Sequence, residues 1–270
     1  MDKIIQELRG KEDAIQQGMQ LVKAAEHAER YKDMCSLMRM VVDLANAKNE
    51  DLDTEGRNLL SVGYKNLVGA GRGSHRHIKH QMDHKESDLM PGYLNVIAKE
   101  TTDICKEVLE VLENQLIPKA DQLRKEETDE SKMYQKVEAS IFYLKMAGDY
   151  YRYLAEIDKE NGYDEKAKDL YLKGSALAED NLAPTDPIRL GLALNLSVCY
   201  YEILNNKKEA CRLAKKAFDD AISKLDRLEE AQYKDATLIM QLLRDNLTLW
   251  TTNDNEGDGE EEDLQVENAE

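Results

Sequence analysis

The sequence predicts an all-α chain, and three observations carry the prediction. Only four prolines occur in 270 residues, and residues 1–90, 119–183 and 188–270 contain none. Average usage would give about 13. Proline breaks helices, so the scarcity fits long helices better than many short strands. Apolar residues also recur at the 3.6-residue helical period in one segment after another, and no segment sustains the period-2 alternation of a half-buried strand.

The elements follow in chain order. Ile15, Met19 and Val22 stand at i, i+4, i+7. Ile97, Ile104, Val108 and Val111 run along a helix over 92–116. Ile117-Pro118 is read as the end of that helix, and 119–131 (KADQLRKEETDES) as a polar connection. Val137, Ile141, Leu144, Gly148, Tyr151 and Ala155 line one face of a long helix. Thr185-Asp186-Pro187 is a helix start: a side-chain cap, then proline where its missing N–H costs little. Residues 188–204 are apolar nearly all round, with Asn195 in the middle. Ala210, Ala214, Ala217, Ala221 and Leu225 form the next stripe. Over 236–250, Leu238, Leu242, Asn246 and Leu249 lie close to one face, with Trp250 adjoining.

The last segment differs in kind. Residues 253–270 hold nine acidic side chains and no basic one, and so account for nine of the 17 net negative charges. Such a run cannot bury enough apolar surface to fold. The expected organisation is a helical domain over 1–252 and a disordered acidic tail over 253–270. Nucleic-acid affinity comes largely from Lys and Arg neutralising phosphates, so a pI near 4.8 argues against that partner. No apolar run approaches the roughly 18 residues of a membrane span, and MDKIIQELRG lacks the apolar core of a signal peptide. Cys35, Cys105, Cys199 and Cys211 stand singly without a CxxC pair, as reduced thiols of a cytoplasmic protein do. Nucleophile–base signatures, P-loops and HExxH are absent. Neither catalysis nor a cofactor is expected.

Two polar stripes invite a ligand. Lys65, Arg72 and Arg76 fall at i, i+7, i+11, with Gly69 leaving room between the first two. Lys145, Asp149, Arg152 and Glu156 fall at i, i+4, i+7, i+11, with Tyr153 adjoining. The two acids stand one turn from Arg152 on either side and can hold its guanidinium. If the two helices are neighbours, Lys65, Arg72, Arg152 and Tyr153 converge on one dianion, and Arg reads phosphate through paired hydrogen bonds. From spacing alone, two solvated faces are the plainer explanation. Asn195 and Asn246 each interrupt an apolar stripe, and a primary amide can donate and accept at once, as a peptide backbone does. Internal partners for both amides are the plainer alternative.

Five strings resemble the 14-3-3 family: AEHAERYKDM (25–34), RNLLSVGYKNLVGA (57–70), FYLKMAGDYYRYLAE (142–156), PIRLGLALNLSVCYYEIL (187–204) and YKDATLIMQLLRDNLTLW (233–250). The resemblance covers most of 14–252. It implies about nine antiparallel helices forming a cup with an amphipathic groove, a homodimer, and binding of phosphoserine or phosphothreonine segments of client proteins without catalysis. It places the phosphate clamp at Lys65, Arg72, Arg152 and Tyr153. Lys145, Leu194, Asn195, Val198, Glu202, Leu238, Ile239, Leu242, Asn246 and Trp250 would line the groove, with both asparagines on the ligand backbone. Ala24, Ala28, Arg30, Asp33, Ser74, Tyr93 and Glu100 would lie at the dimer interface.

The chain departs from the family pattern in places. Gly71 stands where a second arginine is usual and His75 where tryptophan is usual. Two glycines beside Arg72 imply a looser clamp helix, since each costs about 0.8–1 kcal/mol relative to Ala. His77, His80 and His84, with His75 nearby, share one region; a solvated helix end explains them without a metal, because no second ligand set accompanies them. Val96 stands in place of a lysine that would pair with Asp33, and Ala24 in place of a larger apolar residue. Both changes imply a weakened dimer. A phosphate-independent scaffold of tetratricopeptide type is the alternative function, although no 34-residue recurrence is present.

Overall fold

The computed structural model describes residues 1–82, 87–225 and 228–253. The expected tail lies almost wholly outside them, as does His84 of the histidine group. Among the described residues the secondary structure is helical throughout, in eleven α-helices and two π-helical turns. Three elements run on without a break over 90–126 and two over 187–203, so the described residues make ten rods where the resemblance implied about nine. The added rod is α1 (Asp2–Arg9), in the stretch before the family-like strings. Two compact units result, divided after Glu126.

The first unit contains α1, α2 (Ala14–His27), α3 (Tyr31–Ala47), α4 (Thr54–Met82), α5 (Met90–Val111) and α6 (Ile117–Glu126). Leu8 is buried and Arg9 pairs with Asp43 of α3 at 2.7 Å, which anchors α1. Along α2 the buried line is Ala14, Gly18, Val22 and Ala25. The sequence stripe through Ile15 and Met19 therefore sits one residue off its centre, because the closest helix contact is made by small side chains. α4 packs on α3 and α5, burying Leu59, Leu60, Tyr64 and Val68.

Pro118 does not end a helix, which corrects the expectation at 117–131. A π-helical turn over Leu112–Leu116 leads straight into α6, and the Ile117 N–H bonds Leu112 O. A proline inside an α-helix removes a hydrogen bond and its ring strikes the carbonyl four residues back. The wider turn relieves that contact and puts Pro118 in the first turn of α6, where its missing N–H is tolerated. The true connection is only residues 127–129.

The second unit contains α7 (Glu130–Ile157), α8 (Tyr163–Asn181), α9 (Pro187–Val198), α10 (Lys207–Ile222) and α11 (Glu230–Asn253). α9 begins where the sequence indicated. Asp186 caps it by accepting from Ile188 N at 2.9 Å and also accepts from the Tyr134 hydroxyl at 2.9 Å, tying α7 to this start. A second π turn, Cys199–Ile203, extends α9. Leu190, Leu194, Val198, Ala210, Ala214, Met240, Leu243 and Trp250 form one apolar cluster where α9, α10 and α11 meet.

Candidate functional site

The first polar stripe lies on α4, inside the first unit. Lys65 and Arg72 are half-buried, and a Cβ at Gly69 between them would meet nothing within 4 Å. The predicted room along that face is present. Gly71 has a different reason. A Cβ there would stand 2.3 Å from Oγ1 of Thr101, whose hydroxyl donates to Ile97 O at 2.8 Å. Thr101 is 1% exposed. The glycine beside Arg72 thus lets α5 approach closely, and α4 runs through it unbroken.

The second stripe lies on α7, inside the second unit, and its arginine is fully buried. Arg152 is 0% exposed. Its Nε donates to the Tyr171 hydroxyl at 3.3 Å, and its guanidinium carbon lies 4.8 Å from the centre of the Tyr153 ring. Three carboxylates surround it: Asp149 at 3.7 Å, Glu156 at 3.9 Å and Glu202 at 3.7 Å. These separations are about 1 Å longer than charge-assisted hydrogen bonds. Burial opposes the charge, but the tyrosine oxygens of Tyr171 and Tyr153 with Asp149 and Glu202 outweigh it and keep the group protonated.

Tyr171 and Asp149 orient this group. The Tyr171 hydroxyl donates to Asp149 Oδ1, which also accepts from Asn195 Nδ2 at 2.8 Å. Lys145 Nζ donates to Asp149 Oδ2 at 3.4 Å. Tyr171 reaches this position because residue 148 is glycine: a Cβ there would stand 2.8 Å from the Tyr171 ring. One carboxylate therefore ties Lys145, Asn195 and, through Tyr171, Arg152. The sequence reading found Asp149 and Glu156 by their spacing. It missed Tyr171, whose only sequence signal was Gly148 on the inner face of α7.

Burial sorts the apolar candidates. Leu194, Val198 and Trp250 are 0% exposed and belong to the core cluster, with Trp250 stacked on Tyr201 at 4.6 Å. Leu238 is 68% exposed, while Ile239 and Leu242 are half-buried. Both asparagines are buried, and each leaves one polar atom without a partner among the described residues: Asn195 Oδ1 and Asn246 Nδ2. One is an acceptor and the other a donor, on the packed helices α9 and α11.

All seven residues assigned to a dimer interface lie in the first unit. Ala24, Ala28, Arg30, Ser74, Tyr93 and Glu100 are exposed and Asp33 is half-buried. Arg30 and Asp33 pair with each other at the start of α3, and the Ser74 hydroxyl bonds Ala70 O at 2.9 Å. Leu21, Leu89 and Val96 add exposed apolar surface. His77 shares a hydrogen bond with Gln81 at 3.1 Å.

Comparison with known proteins bears on both units. The family model described as 14-3-3 protein matches residues 21–251. "14-3-3-like protein 1" of Caenorhabditis elegans is 48% identical over 257 residues, covering 93% of this chain and 96% of the relative. "14-3-3-like protein 2" of the same organism is 49% identical over 251 residues, covering 90% and 92%. "14-3-3 protein beta/alpha-1" of Oncorhynchus mykiss is 48% identical over 248 residues, covering 89% and 94%.

Proposed function

We infer the function from one premise: the chain belongs to the 14-3-3 protein family, a family of non-catalytic adaptors. It binds phosphoserine or phosphothreonine segments of client proteins in an amphipathic groove and thereby fixes their conformation, localisation or assembly. The clamp is Lys65, Arg72, Arg152 and Tyr153, and the amides of Asn195 and Asn246 bond the ligand backbone. The reading places the protein in the cytoplasm.

The observation that carries this reading is the pair of orphaned amide atoms. A buried polar atom without a partner costs about 1–3 kcal/mol, and an extended peptide supplies the missing N–H and C=O together. The second unit gathers Lys145 and Arg152 against Asp149, Glu156 and Glu202. By itself that group is net negative and unsuited to a dianion. The reading therefore takes two further cations, Lys65 and Arg72, into the clamp.

Titration of a phosphoserine peptide and its unphosphorylated counterpart tests the reading. The first binds and the second does not. Arg152→Ala removes most of the affinity, because a buried phosphate is left under-compensated. Binding that ignores the phosphate, or survives this substitution, refutes the clamp and favours a phosphate-independent scaffold.

The same reading gives a homodimer through the first unit, weaker than the family pattern. Arg30 and Asp33 already pair with each other, and Ala24 and Ala28 offer little apolar area. Light scattering at micromolar concentration measures it. A mass near one chain, 30.8 kDa, rules the dimer out.

A further inference from the structure

A cavity that owes nothing to the phosphate-binding reading lies on the opposite side of α9. Asn195 and Val198 occupy one face of that helix. Ala193 and Leu196 stand about 200° around the axis from Asn195 and Val198, and Arg189 about 180° from Val198, at 100° per residue. On this other face α8, α9 and α10 enclose a cavity of about 340 Å³. That volume falls in the range of pockets that hold small molecules, about 300–1,000 Å³. Its apolar surface is offered by Leu172, Ala193 and Leu213, which stay partly exposed, while Leu190, Leu192 and Leu196 are no more than 2% exposed. Leu213 and Ala217 close the α10 side.

Three cations reach the cavity, and they are not equivalent. Arg212 is held by two bonds to Glu209, at 2.7 and 2.5 Å. Lys216 is shared between Glu179 at 3.2 Å and Asp220 at 3.4 Å. Among the described residues Arg189 has no carboxylate partner. It is half-buried, and its side chain makes one hydrogen bond, from Nη1 to Leu182 O at 2.8 Å. A guanidinium has five N–H donors, so most of this one's capacity is left at the rim of an apolar cavity. A partly buried cation without a counter-charge is costly, and a carboxylate answers it with two parallel hydrogen bonds.

We propose that the α8–α9–α10 cavity binds a small amphipathic carboxylate, its head on Arg189 and its apolar body against Leu172, Ala193 and Leu213. The α10 side of the mouth, where Lys216 faces two acids, repels an anionic head. The head is thereby directed to the Arg189 end, and the apolar body lies toward Leu213.

Calorimetric titration of the full chain with decanoate, with neutral decanamide as control, tests the assignment. Decanoate binds saturably, and decanamide binds at least about tenfold more weakly. Arg189→Gln removes that preference, and Arg189→Lys retains part of it. Ala193→Leu fills the cavity and abolishes binding; if circular dichroism shows that variant unfolded, Ala217→Leu takes its place. Phosphopeptide binding is unchanged in the cavity-filled variant, so a failed groove assignment stays distinguishable from a failed cavity. No saturable decanoate binding below about 1 mM, equal binding of decanamide, indifference to the cavity-filling substitution, or displacement of decanoate by the phosphopeptide would each overturn the proposal.

Discussion

Gly71 and Gly73 flank Arg72 on the same helix, yet replacing each by alanine should change stability in opposite directions. In a helix interior alanine gains about 0.8–1 kcal/mol over glycine. At Gly73 a Cβ meets nothing within 4 Å, so Gly73→Ala keeps that gain. At Gly71 the Cβ would stand 2.3 Å from Thr101 Oγ1 and 3.3 Å from two Thr101 carbons. Thr101 cannot swing aside cheaply, because it is buried and bonded to Ile97 O. Overpacking of this kind costs about 1–3 kcal/mol. The net effect of Gly71→Ala is a loss of up to about 2 kcal/mol, against a gain of about 1 at Gly73. Urea denaturation of the two variants measures both. A double-mutant cycle with Thr101→Ala isolates the contact: in that background Gly71→Ala turns stabilising. Equal stabilisation by both substitutions in the parent chain would refute the packing argument. It would return Gly71 to what the sequence implied, a point of looseness in α4.

Other outcomes follow from the same contacts. Tyr171→Phe keeps the ring against Gly148 but removes the bond to Asp149 and the acceptor for Arg152. Hydrogen bonds to charged groups contribute about 1.5–3 kcal/mol, so unfolding free energy falls by that order and phosphopeptide affinity falls with it; unchanged affinity would separate Tyr171 from the clamp. Burial pushes the Cys199 thiol up to about 12, and Cys35 and Cys105 are also buried. A disulfide reagent at pH 8 should therefore label half-buried Cys211 first; rapid labelling of Cys199 in the native chain contradicts its burial. Deleting 253–270 raises affinity for a phosphopeptide if the tail competes as a weak anion, and an unchanged titration disposes of that idea.

Helix type was legible in the sequence because period and proline spacing are local. What escaped was set by contacts between helices. The stripe on α2 was drawn through Ile15 and Met19 because large apolar residues dominate a periodic reading, whereas the closest packing uses Ala14, Gly18 and Ala25. Pro118 reads as a stop because a π turn depends on hydrogen-bond geometry that composition does not reveal. At the site, Asp149 and Glu156 were visible as neighbours of Arg152 in sequence. Tyr171 lies 19 residues away on α8, and only folding brings its hydroxyl to Arg152. The pairing of Arg30 with Asp33 was hidden for another reason: the resemblance assigned both to a partner chain.

The π turn over Leu112–Leu116 makes the direction of α6 depend on a single residue. Val108, Leu112, Leu116 and Ala120 are all buried, at steps of four. In an unbroken α-helix each such step drifts about 40°, so three steps would carry Ala120 well off the core line. The wide turn absorbs much of that drift and holds all four residues in line. Removing one residue between 112 and 116 would restore the α-helical pitch, set Pro118 inside an unbroken helix, and rotate everything after it by about 100°. Ala120 would turn to water and charged neighbours would turn inward. This short stretch should therefore tolerate changes of side chain far better than any change of length.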